Sequence, residues 1–185
     1  WEYDGVSHSP VFVVNGIDDN ELIGNIGLEA YYTVAGTQQI LAGAPVNAGR
    51  YTVRVRFTDD SPFAGDSGIV FVNGEQTYLV NPIKITAGWR DEADAPCEEA
   101  NYVFNGENRS VNARLYGLRA GDTVEPVVEY LLAGKKINGE PVNVGVYTAR
   151  VSLPADCVNY VLGDNYACQL AITPMGVQPV FAGNA

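Results

Sequence analysis

Apolar and polar residues alternate one by one through two stretches of the chain. In the first, Tyr51, Val53, Val55 and Phe57 alternate with Thr52, Arg54 and Arg56; in the second, Tyr147, Ala149, Val151 and Leu153 alternate with Thr148, Arg150 and Ser152. A period of two turns one set toward a core and the other toward water, so both stretches predict half-buried strands of antiparallel sheets. Shorter strand-like runs occur at Val11 to Val14, Tyr31 to Val34, Ile69 to Val72, Thr77 to Val80, Ile83 to Thr86 and Val127 to Leu132, and Asn73-Gly74 predicts a hairpin turn. Near the end, Tyr166, Cys168, Leu170 and Ile172 share one face of a closing strand. No stretch sustains a helical period. The pattern predicts an almost entirely β chain, with less than about a tenth helix.

The two alternating stretches belong to a repeat. GAPVNAGRYTVRVRF, from Gly43 to Phe57, returns as GEPVNVGVYTARVSL, from Gly139 to Leu153, 96 residues later. Ahead of each strand stand residues suited to a turn: Asn47 and Gly49 in one copy, Asn143 and Gly145 in the other, each set preceded by a proline. The spacing Asn-x-Gly-x-Tyr is close to the tyrosine corner of immunoglobulin-like sandwiches, in which a tyrosine hydroxyl bonds upstream backbone. Tyr51 and Tyr147 are assigned that role. Val53 and Ala149 stand where an antibody domain carries its second core cysteine, so that disulfide is not expected. Tyr3-Asp4-Gly5 pairs with Phe104-Asn105-Gly106, Ala35-Gly36 with Ala133-Gly134, and Gly65-Asp66 with Gly163-Asp164. A period of this length is a domain repeat, too long for a solenoid unit. The expected fold is therefore all-β, two tandem immunoglobulin-like β-sandwich domains over residues 1–95 and 96–185. Ala87 to Ala100, with five acidic residues, reads as a charged linker that limits bending between them.

Tyr-Asp-Gly near the start, Ala-Pro-Val-Asn-Ala-Gly-Arg-Tyr-Thr-Val in mid-domain, and a closing Leu170-Ala171-Ile172-Thr173-Pro174 together resemble the bacterial immunoglobulin-like repeats of the MBG and YDG type. The resemblance spans nearly the whole chain, with Asn105 in place of the aspartate in the second copy and cysteines outside the pattern. It implies a stalk or adhesin segment of a secreted or cell-surface bacterial protein, and it carries over no catalytic residue. The expected role is structural: to space and present a distal binding region. The alternatives are a direct adhesin domain that contacts host protein or glycan, and an accessory module of a secreted carbohydrate-active enzyme.

Charge narrows the partners. The 185 residues carry a net charge of −11. A nucleic-acid partner needs a basic surface, and anionic lipid repels this one. No run approaches the roughly 20 apolar residues that cross a bilayer. The chain starts at Trp1 and reads as a monomeric fragment of a longer precursor.

Candidate chemistry is sparse, and neither catalysis nor a bound cofactor or metal is expected. His8, the one histidine, lies between Ser7 and Ser9, with no GxSxG elbow. Asp18-Asp19-Asn20-Glu21, Asp59-Asp60 and Asp91 to Asp94 offer oxygens without EF-hand spacing and read as solvated loops. Lys84, Lys135 and Lys136 raise a lysine–asparagine crosslink, and Trp1 and Trp89 a sugar-stacking platform; surface charge and core packing explain them first.

Three cysteines remain. Cys168 is expected to face inward, and Cys157 lies just beyond the strand that ends at Leu153. A Cys157–Cys168 disulfide is the first choice, Cys97–Cys168 the second, and three free thiols the third. An extracellular setting permits the bond, worth about 3 kcal/mol by chain entropy.

Overall fold

The structure is a computed structural model that describes residues 1–11, 26–65, 71, 74–164 and 166–180. It divides into two compact units, Trp1–Ile83 and Lys84–Ala185. Among the described residues there are twelve strands and no helix. Most of the Val11 to Val14 and Ile69 to Val72 runs, the Asn73-Gly74 turn as a whole, and Asp18 to Glu21 lie outside the described residues.

In the first unit, strands β1 (Leu28–Val34), β2 (Gly49–Phe57) and β3 (Glu75–Val80) form an antiparallel sheet in the order β1-β2-β3. The alternation reads out directly. Tyr51 and Val53 are buried, and Tyr32 and Tyr78 join them from the flanking strands. The polar positions pair across the opposite face. Arg56 faces Glu29 in register and bonds it at 2.6 Å; Arg54 faces Glu75 and bonds it at 2.7 Å. Arg56 also lies over the ring of Tyr31, 5.3 Å from its centroid. Such exposed cross-strand pairs contribute a few tenths of a kcal/mol each and chiefly favour this register.

The second unit has two sheets over one core. Strands β4 (Ile83–Arg90), β5 (Pro96–Cys97), β7 (Asn112–Tyr116) and β11 (Tyr160–Leu162) form the smaller sheet, with β4 bonded to the other three. Strands β6 (Glu99–Val103), β8 (Val127–Leu132), β9 (Lys135–Lys136), β10 (Gly145–Ser152) and β12 (Ala167–Thr173) form the larger, in the order β6-β12-β10-β8-β9. Its neighbours are antiparallel except β6 and β12, which run parallel. The inward row of β12 is as expected: Cys168, Leu170 and Ile172 are buried, and pack with Tyr147, Ala149 and Val151 of β10. With the tyrosine corner described below, this is an immunoglobulin-like sandwich.

Two expectations change here. The units divide between residues 83 and 84, not 95 and 96, and Ala87 to Ala100 is not a linker. Ile85 and Trp89 are buried, and Trp89 joins the second core. Three of the five acidic residues that made the stretch read as a hinge, Asp91, Glu92 and Asp94, lie in a tight turn after β4. There Asp91 Oδ1 accepts from the amides of Ala93 and Ala95, both at 2.9 Å, and Asp94 adopts a φ of 59°. Polar density marked a turn between strands, not a gap between domains.

Candidate functional site

The two repeated segments adopt the same local geometry. The Tyr51 hydroxyl donates to the main-chain carbonyl of Asn47 at 2.8 Å, and that of Tyr147 to the carbonyl of Asn143 at 2.8 Å. Both rings are buried, and burial raises the Tyr51 pKa above its ordinary value. The asparagine therefore serves the corner through its backbone oxygen. The glycine serves it by lacking a Cβ. Neither Gly49 nor Gly145 has a positive φ; instead the tyrosine folds back over it. A Cβ on Gly49 would lie 3.0 Å from Tyr51 Oη, and one on Gly145 would lie 3.3 Å from the Tyr147 ring. Close approach, not a left-handed turn, is why glycine stands there.

Other tyrosines act in the same way, and no motif announced them. Tyr130 is buried in the second core, accepting from the amide of Val111 at 3.0 Å and donating to its carbonyl at 3.1 Å. Tyr102 donates to the carbonyl of Ser110 at 3.0 Å. Tyr160 bonds Asp122 and accepts from the amide of Arg119. In the first unit Tyr78 donates to the carbonyl of His8 at 2.5 Å.

His8 is held from both sides. Its Nε2 meets Asp4 Oδ2 at 2.7 Å, and the Trp1 ring stacks on the imidazole and on Tyr78, at 5.6 and 5.0 Å between centroids. The signal for this pair was the spacing Asp4-x-x-x-His8. Trp1 remains 51% exposed, whereas Trp89 is 7% exposed inside the second unit. Trp89 thus serves core packing in its own unit, while Trp1 keeps about half of its surface open.

A second polar cluster lies in the second unit. Arg109 bonds Glu92 at 2.9 Å and lies over the Tyr102 ring at 5.0 Å, while Glu92 accepts from the amide of Ser110 at 3.2 Å. It joins the turn after β4 to the loop before β7. Lys84, Lys135 and Lys136 are exposed, and Lys136 pairs with Glu129 at 2.9 Å, so none is buried for a crosslink. Asp59 and Asp60 are exposed. Among the described residues no three His, Cys, Asp or Glu side chains gather as metal ligands.

All three cysteines are free thiols. Cys168 is 1% exposed in the core, and Cys97, half-buried on β5, packs against that core. The Cys168 thiol donates to the carbonyl of Gln169 at 3.5 Å. Burial pushes both thiols up, Cys168 to about 12 with the proximity of Cys97 adding to it. Cys157 lies in a turn after β10, its amide bonded to the carbonyl of Pro154 at 3.0 Å, outside that core. The neighbour of Cys168 is thus the second-choice partner.

No family model matches the chain and no curated protein matches it in sequence. Among solved structures, the three N-terminal domains of the bacteriophage RB49 highly immunogenic outer capsid protein are similar at 15% identity, with a TM-score of 0.36, over 84% of this chain and 51% of that one. The N-terminal four immunoglobulin domains of Dscam1 isoform 8.4 are similar at 13% identity, with a TM-score of 0.32, over 80% of this chain and 37% of that one. The chain spans about half or less of these structures. The fold assignment stands on the sheets and corners above.

Proposed function

We propose that the chain is a structural segment of an extracellular bacterial surface protein, in which tandem immunoglobulin-like modules space and present a more distal binding region. The observation that carries this reading is the duplicated corner: the same five-residue motif makes the same 2.8 Å tether in each unit. A duplicated module in which every assigned motif residue serves the fold suits a repeating spacer. The acidic surface favours solubility where many copies are displayed together. The direct-adhesin reading has Trp1 in its favour, an exposed aromatic ring stacked on His8 and Tyr78.

The test is to immobilise the chain and probe it with panels of glycans and host matrix proteins. The spacer reading expects no saturable binding. Saturable binding of one ligand, lost on replacing Trp1 with alanine, would overturn it in favour of the adhesin.

A further inference from the structure

Three backbone relations bring two thiols together across the second sandwich. Cys97 on β5 faces Trp89 of β4, which fixes it to the smaller sheet. Two residues on, the chain joins the larger sheet, where Glu99 of β6 is in parallel register with Gln169 of β12. Cys168 directly precedes Gln169 and is buried in the core that Cys97 packs against. Cys157, by contrast, stays in its turn.

We propose that Cys97 and Cys168 are a redox pair that closes into a disulfide linking the two sheets of the second unit. The oxidant is a disulfide of the low-molecular-weight thiol class. The Cys97 thiolate, from the more exposed of the two groups, attacks one sulfur of that disulfide and expels a thiolate. The Cys168 thiolate then displaces the second thiol from the mixed disulfide. Two protein thiols lose two protons and two electrons, one sulfur–sulfur bond forms, and one small disulfide becomes two small thiols. The raised pKa values make the exchange slow in the folded chain and fast during folding, when both thiols are in water.

The bond would enclose residues 98–167, which hold strands β6 to β11. Tension that enters ahead of Cys97 and leaves through the end of β12 would then pass through the disulfide and bypass that enclosed chain. This inference concerns the second unit alone and does not depend on the spacer reading.

The whole chain is refolded from its reduced, unfolded state in a glutathione redox buffer and mapped by non-reducing peptide analysis, then stretched between handles in a force spectrometer. The expected results are a Cys97–Cys168 peptide, a free Cys157, and an unfolding step shorter by about 250 Å than that of the reduced protein, at about 3.5 Å per enclosed residue. Cys157→Ser should keep the short step. Cys97→Ser, at the half-buried position, should restore the long one, as should added reductant on the unaltered chain. A Cys157–Cys168 peptide, three free thiols after refolding, or equal steps in oxidised and reduced protein would each overturn the proposal.

Discussion

Replacing Tyr147 with phenylalanine removes one oxygen and keeps the buried ring. The lost contact is the 2.8 Å hydrogen bond to the carbonyl of Asn143. Asn143 is exposed, so water can take up its carbonyl when the hydroxyl is gone. The cost should therefore be that of a net hydrogen bond, about 0.5–1.5 kcal/mol, without the penalty of a stranded buried acceptor. Replacing Tyr147 with alanine also empties the ring's place among Ala149, Leu170 and Ile172 and should cost about 3–5 kcal/mol, enough to threaten the unit's fold. Urea unfolding followed by tryptophan fluorescence separates the two effects. The chain has two tryptophans, so in a Trp1→Phe background Trp89 reports the second unit alone. With an m-value of about 1–2 kcal/mol/M, a loss of 1 kcal/mol lowers the midpoint by about 0.5–1 M at unchanged slope. An unshifted midpoint for Tyr147→Phe, together with unchanged stability for Tyr51→Phe, would refute the tether. A loss for phenylalanine as large as for alanine would refute the division between tether and packing.

Gly49→Ala should destabilise more than Gly145→Ala, because its Cβ would meet the anchored Tyr51 hydroxyl at 3.0 Å while the other meets the Tyr147 ring at 3.3 Å; paired thermal melts decide the order. Ala133 and Gly134 both have positive φ, 49° and 78°, in the two-residue connection that pairs Leu132 with Lys135. Ala133→Gly should therefore relieve a left-handed alanine and stabilise by about 0.5–1 kcal/mol, measured by urea midpoint. In protein kept reduced, the folded-state pKa of Cys168 near 12 stands above that of an ordinary thiol, so its contribution is complete below about pH 9 and is lost as pH rises toward 12. The folded chain holds a proton that the unfolded chain gives up, and stability should fall by up to about 1.4 kcal/mol per pH unit in that window, less steeply in Cys168→Ala. The raised tyrosines Tyr51, Tyr78, Tyr102 and Tyr130 add to the decline in both proteins, so the difference between them reports Cys168 together with its effect on Cys97.

The strands with alternating faces were legible in the sequence because that pattern states its own geometry. Tyr147, Ala149 and Val151 needed only a period of two to be placed inward, and Arg54 and Arg56 to be placed outward; their glutamate partners emerged only with the strand register. The domain boundary was not legible, because β4 mixes signals. Ile85 and Trp89 mark a core strand, but the strand is followed at once by acids whose role is to close a turn. Composition averaged over that window hides the strand within the polar turn. The cysteine neighbourhood was missed for a related reason. Proximity along the chain favoured Cys157, whereas the parallel pairing of β6 with β12 brings a residue 71 positions earlier beside Cys168. Parallel pairing between the ends of a domain leaves no local trace.

The tyrosine content acquires a physical reason once these contacts are set side by side. Leucine or phenylalanine would also fill these core positions with apolar surface. Tyrosine adds a hydroxyl at the far end of a rigid ring, long enough to reach from a core face to the loop at the edge of the sheet. Tyr51, Tyr102, Tyr130, Tyr147 and Tyr78 each bond main-chain atoms outside their own strand. Each bond fixes a loop that β-sheet pairing alone leaves free, and does so at the ordering cost of only two side-chain torsions. Because the partner is backbone, the loop's side chains can vary while its path is kept. A repeated module gains from that combination: a fixed frame, with loop residues released from holding it.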